Sequence, residues 1–450
     1  MIKTETIESL SRLHISLDSR QNTHLSHIKQ YPIAGSEAMK ITFICAVFPP
    51  EPEPAGIMAM QLARRLSSDG NEVSMIVPFP NRPYGQVYDG FHRQLRKSSF
   101  VPEGYQVIRC ASWLIGENRR ILDRLLENAT FGLSSAWAAW RKGRPDVMIL
   151  ETWPLCAGLS GVLLARFWRV PALYYVQDVY PEALEKAGLI SSGGLLARLC
   201  RAWDRQICLA SAKVVVIADA VRDLLASTRR LPLEHFVTIP NWADAAEFAL
   251  HPIDNSWRRE QNISSNVFVA MFAGTFGHVS GVELLVEVAH LLRSKRDVLI
   301  VCVGEGIRKP AMVQTCRMRS LDNIRFVPFQ PRERVAEVHS AANAMLLTMQ
   351  PESSDASVPS KLISYMAAGR PVICSAPRAT TGSQIVVEGD AGLVTKPGDA
   401  AAIVDAIEHL ATHGAESERM GRNARRYFEQ HMTIDRAYGQ FSALLQEVTR

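Results

Sequence analysis

Residues 40–79 read "KITFICAVFPPEPEPAGIMAMQLARRLSSDGNEVSMIVPF". Two runs in it, "KITFICAV" and "EVSMIVPF", are apolar throughout rather than alternating, which is how strands read when a parallel sheet is buried on both faces. Between them, "AGIMAMQLARRLSSD" (55–69) places apolar residues at three- and four-residue spacing, the period of a helix. Gly70-Asn71 makes the turn into the second strand. Strand, helix and strand form a crossover, and right-handed crossovers leave the two strands parallel.

The same pattern runs outward from this unit. "DVMILE", a helix over 155–168, "PALYYVQD", a helix over about 193–210, "AKVVVIA" and a short helix over 219–228 continue the first series. "FVTIPNWADAAEF" closes it, and the polar stretch 250–265 reads as a linker. A second series starts at "VFVAMFAGTF" and runs through helix 281–295, "VLIVCVGEG", helix 309–319, "NIRFVPF", helix 332–342, "AMLLTM", a helix opening at Pro359, "RPVICS" and "AGLVTKPG". The expected class is α/β, with two Rossmann-like doubly wound domains facing a cleft. The expected bounds are 39–245 for the first domain, joined by a helix at about 430–450, and 246–429 for the second. Residues 1–38 are polar, without the apolar core of a signal peptide, and are expected to be a disordered extension or an overlong reading frame.

At 450 residues, 47% hydrophobic and 21% charged, the chain fits a two-domain globular protein. A formal charge of +5 is mild and spread out, and no aromatic-interleaved basic ladder or finger-like Cys/His spacing is present. This argues against nucleic acid and for an anionic substrate or membrane surface. The eight cysteines are scattered without a C-x-x-C pair, which reads as reduced core thiols in a cytoplasmic protein with no metal site. "LCAGLSGVLLARFW" is too short for a membrane span and carries Arg166.

Several residues stand out chemically. In "SVPSKLISYMAAGRPVIC" (357–374), Ser360 and Lys361 open a helix, where a cation costs about 0.3–1 kcal/mol against the macrodipole unless an anion binds there. Lys361 either bends into solvent, pairs with Asp355, or holds a phosphate. "VGEGIRKPAMV" carries Gly304, Gly306 and Lys309 after a strong strand; "FAGTFGHVSGVELL" repeats the design with Gly274 and His278. Such glycines admit a ligand to the backbone, or merely close turns. Neither loop has the position or spacing of a dinucleotide fingerprint, so a nicotinamide dehydrogenase is not expected. "YVQDVYPEALEKAG" leaves a strand with Asp178 and Glu182, either cleft carboxylates that grip sugar hydroxyls or act as base, or a cap and first turn of the next helix. Trp137 and Trp140 beside Arg141, Lys142 and Arg144 suit a membrane interface or an ordinary helix face.

From Met39 onward the chain resembles the family-4 retaining glycosyltransferases of GT-B fold, in the bacterial surface-polysaccharide branch that includes N-acetyl-fucosamine transferase-like proteins. The likeness is carried by "FPPEPEPAGIMAMQLARRLSSDGNEVSMIV", "VQDVYPEAL", "IPNWAD", "FAGTFG…GVELLVEVA", "VGEGIRKPAM", "NIRFVPFQPRERVAEVHSAANAMLL", "PSKLISYMAAGRPVI" and "GDAGLVTKPGDAAAI" in order. It implies a nucleoside diphosphate sugar (UDP or GDP) on the second domain, and no cofactor or metal. Transfer with retention would deliver a hexosyl, N-acetylhexosaminyl or deoxysugar unit to a lipid-linked glycan acceptor on the first domain, at the inner face of the cytoplasmic membrane. It implies Lys361 as the diphosphate-gripping cation, Gly304 and Gly306 in the nucleotide pocket, the backbone of 326–329, with Phe329, at the base, and Gly56 under the phosphates. Asp178 would orient the acceptor or steady the oxocarbenium-like centre, with Glu182 and His278 near the sugar, and helices from about 417 would cross back to the first domain. Where relatives carry Arg, Lys, a ribose-binding Glu and an active-site His, this chain has Thr275, Ser280, Ser364 and Gln177. Ser364 and Gln177 keep a non-catalytic sugar-nucleotide scaffold as one alternative; a nucleotide-sugar epimerase, which needs paired acids and bases around one sugar and no acceptor site, is the other.

Overall fold

Runs of apolar β-branched residues, buried end to end, become the central strands of two separate sheets. The computed structural model describes residues 38–450 other than 52, 83, 84, 93, 115–120, 187, 189, 278, 279 and 351–359. The expected N-terminal extension and the loop residue His278 lie outside the described residues.

The first half folds as β1 (Lys40–Ile44), α1 (Pro54–Ser68), β2 (Glu72–Pro78), β3 (Arg96–Phe100), β4 (Gln106–Cys110), α2 (Ile121–Lys142), β5 (Val147–Glu151), α3 (Leu155–Trp168), β6 (Ala172–Val176), α4 (Glu182–Lys186), α5 (Leu195–Ala210), β7 (Lys213–Val216), α6 (Asp219–Arg229) and β8 (Phe236–Thr238). Its sheet has the order β3-β4-β2-β1-β5-β6-β7-β8, with every pairing parallel except β3 on β4. The chain leaves β1 toward β2 on one side and β5 toward β6 on the other. That reversal opens a crevice at the carboxyl ends of β1 and β5. Helices α2, α3 and α5 pack side by side on one face of the sheet, and α1 covers the other.

The second half folds as α7 (Ser256–Glu260), β9 (Phe268–Ala273), α8 (Leu284–Leu291), β10 (Val298–Val303), α9 (Lys309–Met318), β11 (Ile324–Val327), α10 (Val335–Ser340), β12 (Ala344–Thr348), α11 (Ser360–Ala367), β13 (Val372–Ser375), α12 (Thr381–Glu388), β14 (Gly392–Thr395), α13 (Ala400–Thr412), α14 (Gly414–His431) and α15 (Ile434–Thr449). The sheet order is β11-β10-β9-β12-β13-β14, all parallel, with its own reversal between β9 and β12.

Helix α15 returns to the first half. Ile434, Phe441 and Leu445 are buried in the core that holds β1 and β6, and Phe441 meets Tyr175 and Trp242 edge-on at 5.4 and 6.0 Å. Fully burying each such side chain contributes about 1.5–3 kcal/mol. The outgoing and returning crossings pair with each other: Ala243 N donates to Met432 O (3.0 Å) and Ile434 N to Ala243 O (3.2 Å). Beside them Glu247 links Gln61 of α1 (3.5 Å) to Arg332 of the second half (2.6 Å).

Two strands, β3 and β4, are absent from the sequence expectation. Edge strand β3 is "RKSSF", mostly exposed and without an apolar run. All eight cysteines are free thiols.

Candidate active site

The second domain's mouth is built from two strand exits zipped together. Beyond the ends of β9 and β10 the backbones continue to pair: Gly274 N donates to Val303 O (2.9 Å), Phe276 N to Glu305 O (2.9 Å) and Arg308 N to Phe276 O (3.2 Å). Glycine is required for this closeness. A Cβ on Gly304 (φ 138°) would lie 2.0 Å from Gly274 O, and one on Gly306 (φ 152°) 2.6 Å from Phe276 O. These glycines therefore bring backbone to backbone and fix the loop shape.

Gly274 itself (φ 146°) makes room for Lys361, whose Cε would lie 2.2 Å from a Cβ there. Helix α11 sets that placement. One turn after Lys361, the buried Tyr365 hydroxyl donates to Ala273 O (2.8 Å) and accepts from Ala273 N (2.9 Å), pinning the helix to the end of β9. Residues four apart share a helix face, so the same anchor delivers Lys361 to Gly274. The Lys361 ammonium lies 3.4 Å from Thr275 O and 4.4 Å from the centre of the Phe272 ring. No carboxylate pairs with it among the described residues, and burial pushes its pKa down to about 8. Ser360, exposed at the start of α11, adds the free amides of a helix N-terminus. Asp355, the alternative partner, lies outside the described residues.

Lys309 is arranged differently. Its ammonium donates to Glu305 Oε1 (2.6 Å) and Gly304 O (2.9 Å), bracing the loop. Ser364 donates to the Lys361 carbonyl (2.9 Å), and Phe329 stands exposed after β11.

The first domain's mouth carries the opposite sign. Glu151, the last residue of β5, sits at the reversal point and is buried. Its Oε2 accepts weakly from Ala46 N (3.4 Å), while Oε1 makes no hydrogen bond. Burial, opposed by that amide and reinforced by nearby Asp178, raises its pKa to about 7. Asp178, two residues past β6, is exposed on its own surface yet crowded by surrounding protein, as a side chain lining a concave wall is. Desolvation, then the like charge of Glu53, raises its pKa. It makes no side-chain hydrogen bond among the described residues, so it does not cap α4. Gly56 packs on the exit of β1, where a Cβ would sit 3.0 Å from the Phe48 backbone.

Glu182 is committed elsewhere. Both its oxygens accept from Arg229 (2.6 and 2.8 Å) and one from Arg201 (3.1 Å). Arg229, buried, also donates to Asp204 (2.6 Å) and Tyr180 O (2.7 Å), and Tyr174 donates to Asp204 (2.8 Å). The carboxylate that sequence reasoning missed is Glu151. Its signal is visible in "DVMILE", where a charge closes an otherwise apolar strand.

Two family models match in tandem: "Glycosyl transferase 4-like domain" over residues 55–242 and "Glycosyl transferases group 1" over 254–427. The chain is a glycosyltransferase of GT-B type. It is 25% identical over 354 residues to the protein of Escherichia coli K12 assigned to colanic acid biosynthesis as glycosyl transferase WcaI, covering 77% of this chain and 86% of that one. Sucrose-phosphate synthase from Thermosynechococcus elongatus superposes with a TM-score of 0.69 at 17% identity, over 90% of this chain and 98% of that one. Anabaena Alr3699/HepE, solved in complex with UDP-glucose, gives 0.66 at 16% identity, over 91% and 100%. The GT-B arrangement turns the two mouths toward each other across the interdomain cleft. Among the described residues no helix is long and apolar enough to cross a membrane.

Proposed function

We propose that this GT-B glycosyltransferase moves a sugar, with retention and without a metal, from a UDP- or GDP-sugar on the second domain to a polyprenyl-diphosphate-linked glycan on the first. It would act at the inner face of the cytoplasmic membrane in bacterial surface-polysaccharide synthesis. The observation that carries this reading is Lys361, a desolvated cation without a counter-ion among the described residues, held at a helix N-terminus at the sheet's reversal point. A bound diphosphate supplies the missing charge.

In the reaction the bond from the anomeric carbon to the diphosphate oxygen breaks, a bond to the acceptor hydroxyl's oxygen forms on the same face, and the hydroxyl's proton passes to the leaving diphosphate. Negative charge grows on the leaving diphosphate, where Lys361 and the α11 amides already point. Asp178 and Glu151 line the opposite wall, suited to accepting hydrogen bonds from sugar hydroxyls and steadying positive charge at the anomeric carbon. The colanic acid assignment of WcaI and the UDP-glucose bound to HepE support the substrate classes.

The test is incubation with a panel of radiolabelled UDP- and GDP-sugars and a bacterial membrane extract. Label is expected in the lipid fraction with one donor and is expected to be lost with Lys361→Ala. Undiminished transfer by that variant would remove the assignment. Free-sugar interconversion without an acceptor would favour the epimerase.

A further inference from the structure

Helix α2 begins well before the neighbour it packs on. Gly132 meets α3 at Cys156, where a Cβ on the glycine would lie 2.7 Å from the Cys156 Cβ. Cys156 is the second residue of α3, and both crossover helices run opposite to their strands. Residues 121–131 of α2 therefore run on past the start of α3, about 15 Å over the carboxyl edge of the sheet. The inward stripe of α2 changes character at that point. Ala138, Ser135 and Phe131, at three- and four-residue spacing, are buried. The next positions of the same stripe, Glu127 and Arg124, carry charge. Glu127 Oε1 accepts from Arg82 Nη2 (2.6 Å), while its buried Oε2 has no hydrogen-bond partner among the described residues. Arg82 is fixed in turn by its backbone N, which donates to Glu51 Oε1 (2.8 Å). The Arg124 side chain makes no ion pair or hydrogen bond among the described residues, although its Nε is buried.

The exits of β5 and β6 share this edge and are aromatic. Trp153, two residues past β5, and Tyr180, four past β6, hold their rings 4.6 Å apart, tilted by 36°. Both are half-buried. Neither the Trp153 ring nitrogen nor the Tyr180 hydroxyl has a hydrogen-bond partner among the described residues. By contrast, the ring nitrogens of Trp113, Trp242 and Trp257 reach side-chain acceptors at 3.0, 3.0 and 3.1 Å. Burial raises the Tyr180 pKa; Asp178 adds to that, and Arg82 and Arg124 oppose it, so all three charges stand around its hydroxyl. A sugar ring offers what these groups lack. Its C–H face is apolar and suits the negative face of an aromatic ring, and its hydroxyls both donate and accept. Hydrogen bonds from guanidinium or to carboxylate are the strong, charge-assisted kind. Arginines set among carboxylates suit a neutral ring better than a phosphate, which the carboxylates repel.

We propose that the space between the α2 overhang and the Trp153–Tyr180 pair seats the terminal sugar ring of the acceptor, a neutral hexose laid on the two rings with its hydroxyls on Arg124, Arg82 and Asp178. Glu127 is then a positioning residue, acting through Arg82. This deepens the glycan-acceptor reading and rests on it for the ring's part in the reaction. Its consequence is that the enzyme extends an existing saccharide, since a bare lipid phosphate would leave the aromatic pair uncovered. The test is saturation-transfer NMR of the full chain with a panel of methyl hexosides and with methyl phosphate. Ring protons of at least one hexoside are expected to receive saturation, and methyl phosphate none. Trp153→Ala and Arg124→Gln are each expected to weaken that hexoside roughly ten-fold, with UDP and GDP titrations unchanged. Gln keeps the helix propensity of Arg, so Arg124→Gln carries the test if Trp153→Ala lowers the thermal midpoint. Saturation of methyl phosphate alone, binding of no hexoside, or equal hexoside binding by the wild type and both variants would overturn the seat. Lys361→Ala separates the two readings, since it should weaken the nucleotide while keeping the hexoside.

Discussion

The two mouths of the cleft are built alike and charged oppositely. Each lies where its sheet reverses direction, and each holds a desolvated ionisable side chain with no ion-pair partner among the described residues. In the second domain it is Lys361 on Gly274; in the first it is Glu151, with Asp178 beside it. Away from the mouths, buried Arg229 is paired with Glu182 and Asp204, while Arg258 and Arg370 have no carboxylate among the described residues and donate to backbone carbonyls instead. An unpaired buried charge is costly, and a cation at one mouth facing carboxyl groups at the other suits the proposed ligand: anionic at one end, rich in hydroxyls at the other.

The comparison breaks first at its paired reference. Arg229→Ala strands Glu182 and Asp204 without their cation and is expected to cost about 3–5 kcal/mol, read by urea denaturation. A loss under 1 kcal/mol would mean that pairing is not what separates this network from the mouths. Next comes the shape of the second mouth. Gly304→Ala meets Gly274 O and a positive φ and is expected to cost about 2–4 kcal/mol. Gly70→Ala, also at a positive φ but in open space, should cost about 1 kcal/mol. Equal losses would show that loop contact contributes nothing.

The smallest effect sharpens the first mouth. The Glu151 carboxyl is raised from 4.5 to about 7, so the folded chain holds its proton more tightly than the unfolded chain. Its contribution is therefore full at low pH and is lost as pH rises through about 7, on the order of 2 kcal/mol. Glu151→Gln should narrow the stability gap between about pH 5 and pH 8. An unchanged gap in thermal melts would place the Glu151 proton elsewhere.

Much of this architecture was legible in the sequence because its signals are local. Continuous apolar runs mark strands buried on both faces, and helix α3 falls at 155–168 as its periodicity indicates. Lys361 could be singled out because a cation in a first helical turn is locally unfavourable. Strand order is not local, and Glu151 gains its meaning only from lying beside β1 at the reversal point. For the same reason, Lys309 and Glu182 looked available, while Glu305 and Arg229 engage them through folding. Edge strand β3 escaped because its polar residues carry no burial pattern.

The central claim is that Lys361 waits for a diphosphate, and calorimetric titration with UDP and with GDP tests it directly. The wild type should bind one of them at about pH 7 and about ten-fold more weakly at about pH 9.5, as the ammonium deprotonates through about 8. Lys361→Ala should bind some thirty- to thousand-fold more weakly, or roughly 2–4 kcal/mol, with no such alkaline loss. Wild-type affinity and pH profile in Lys361→Ala would contradict the account.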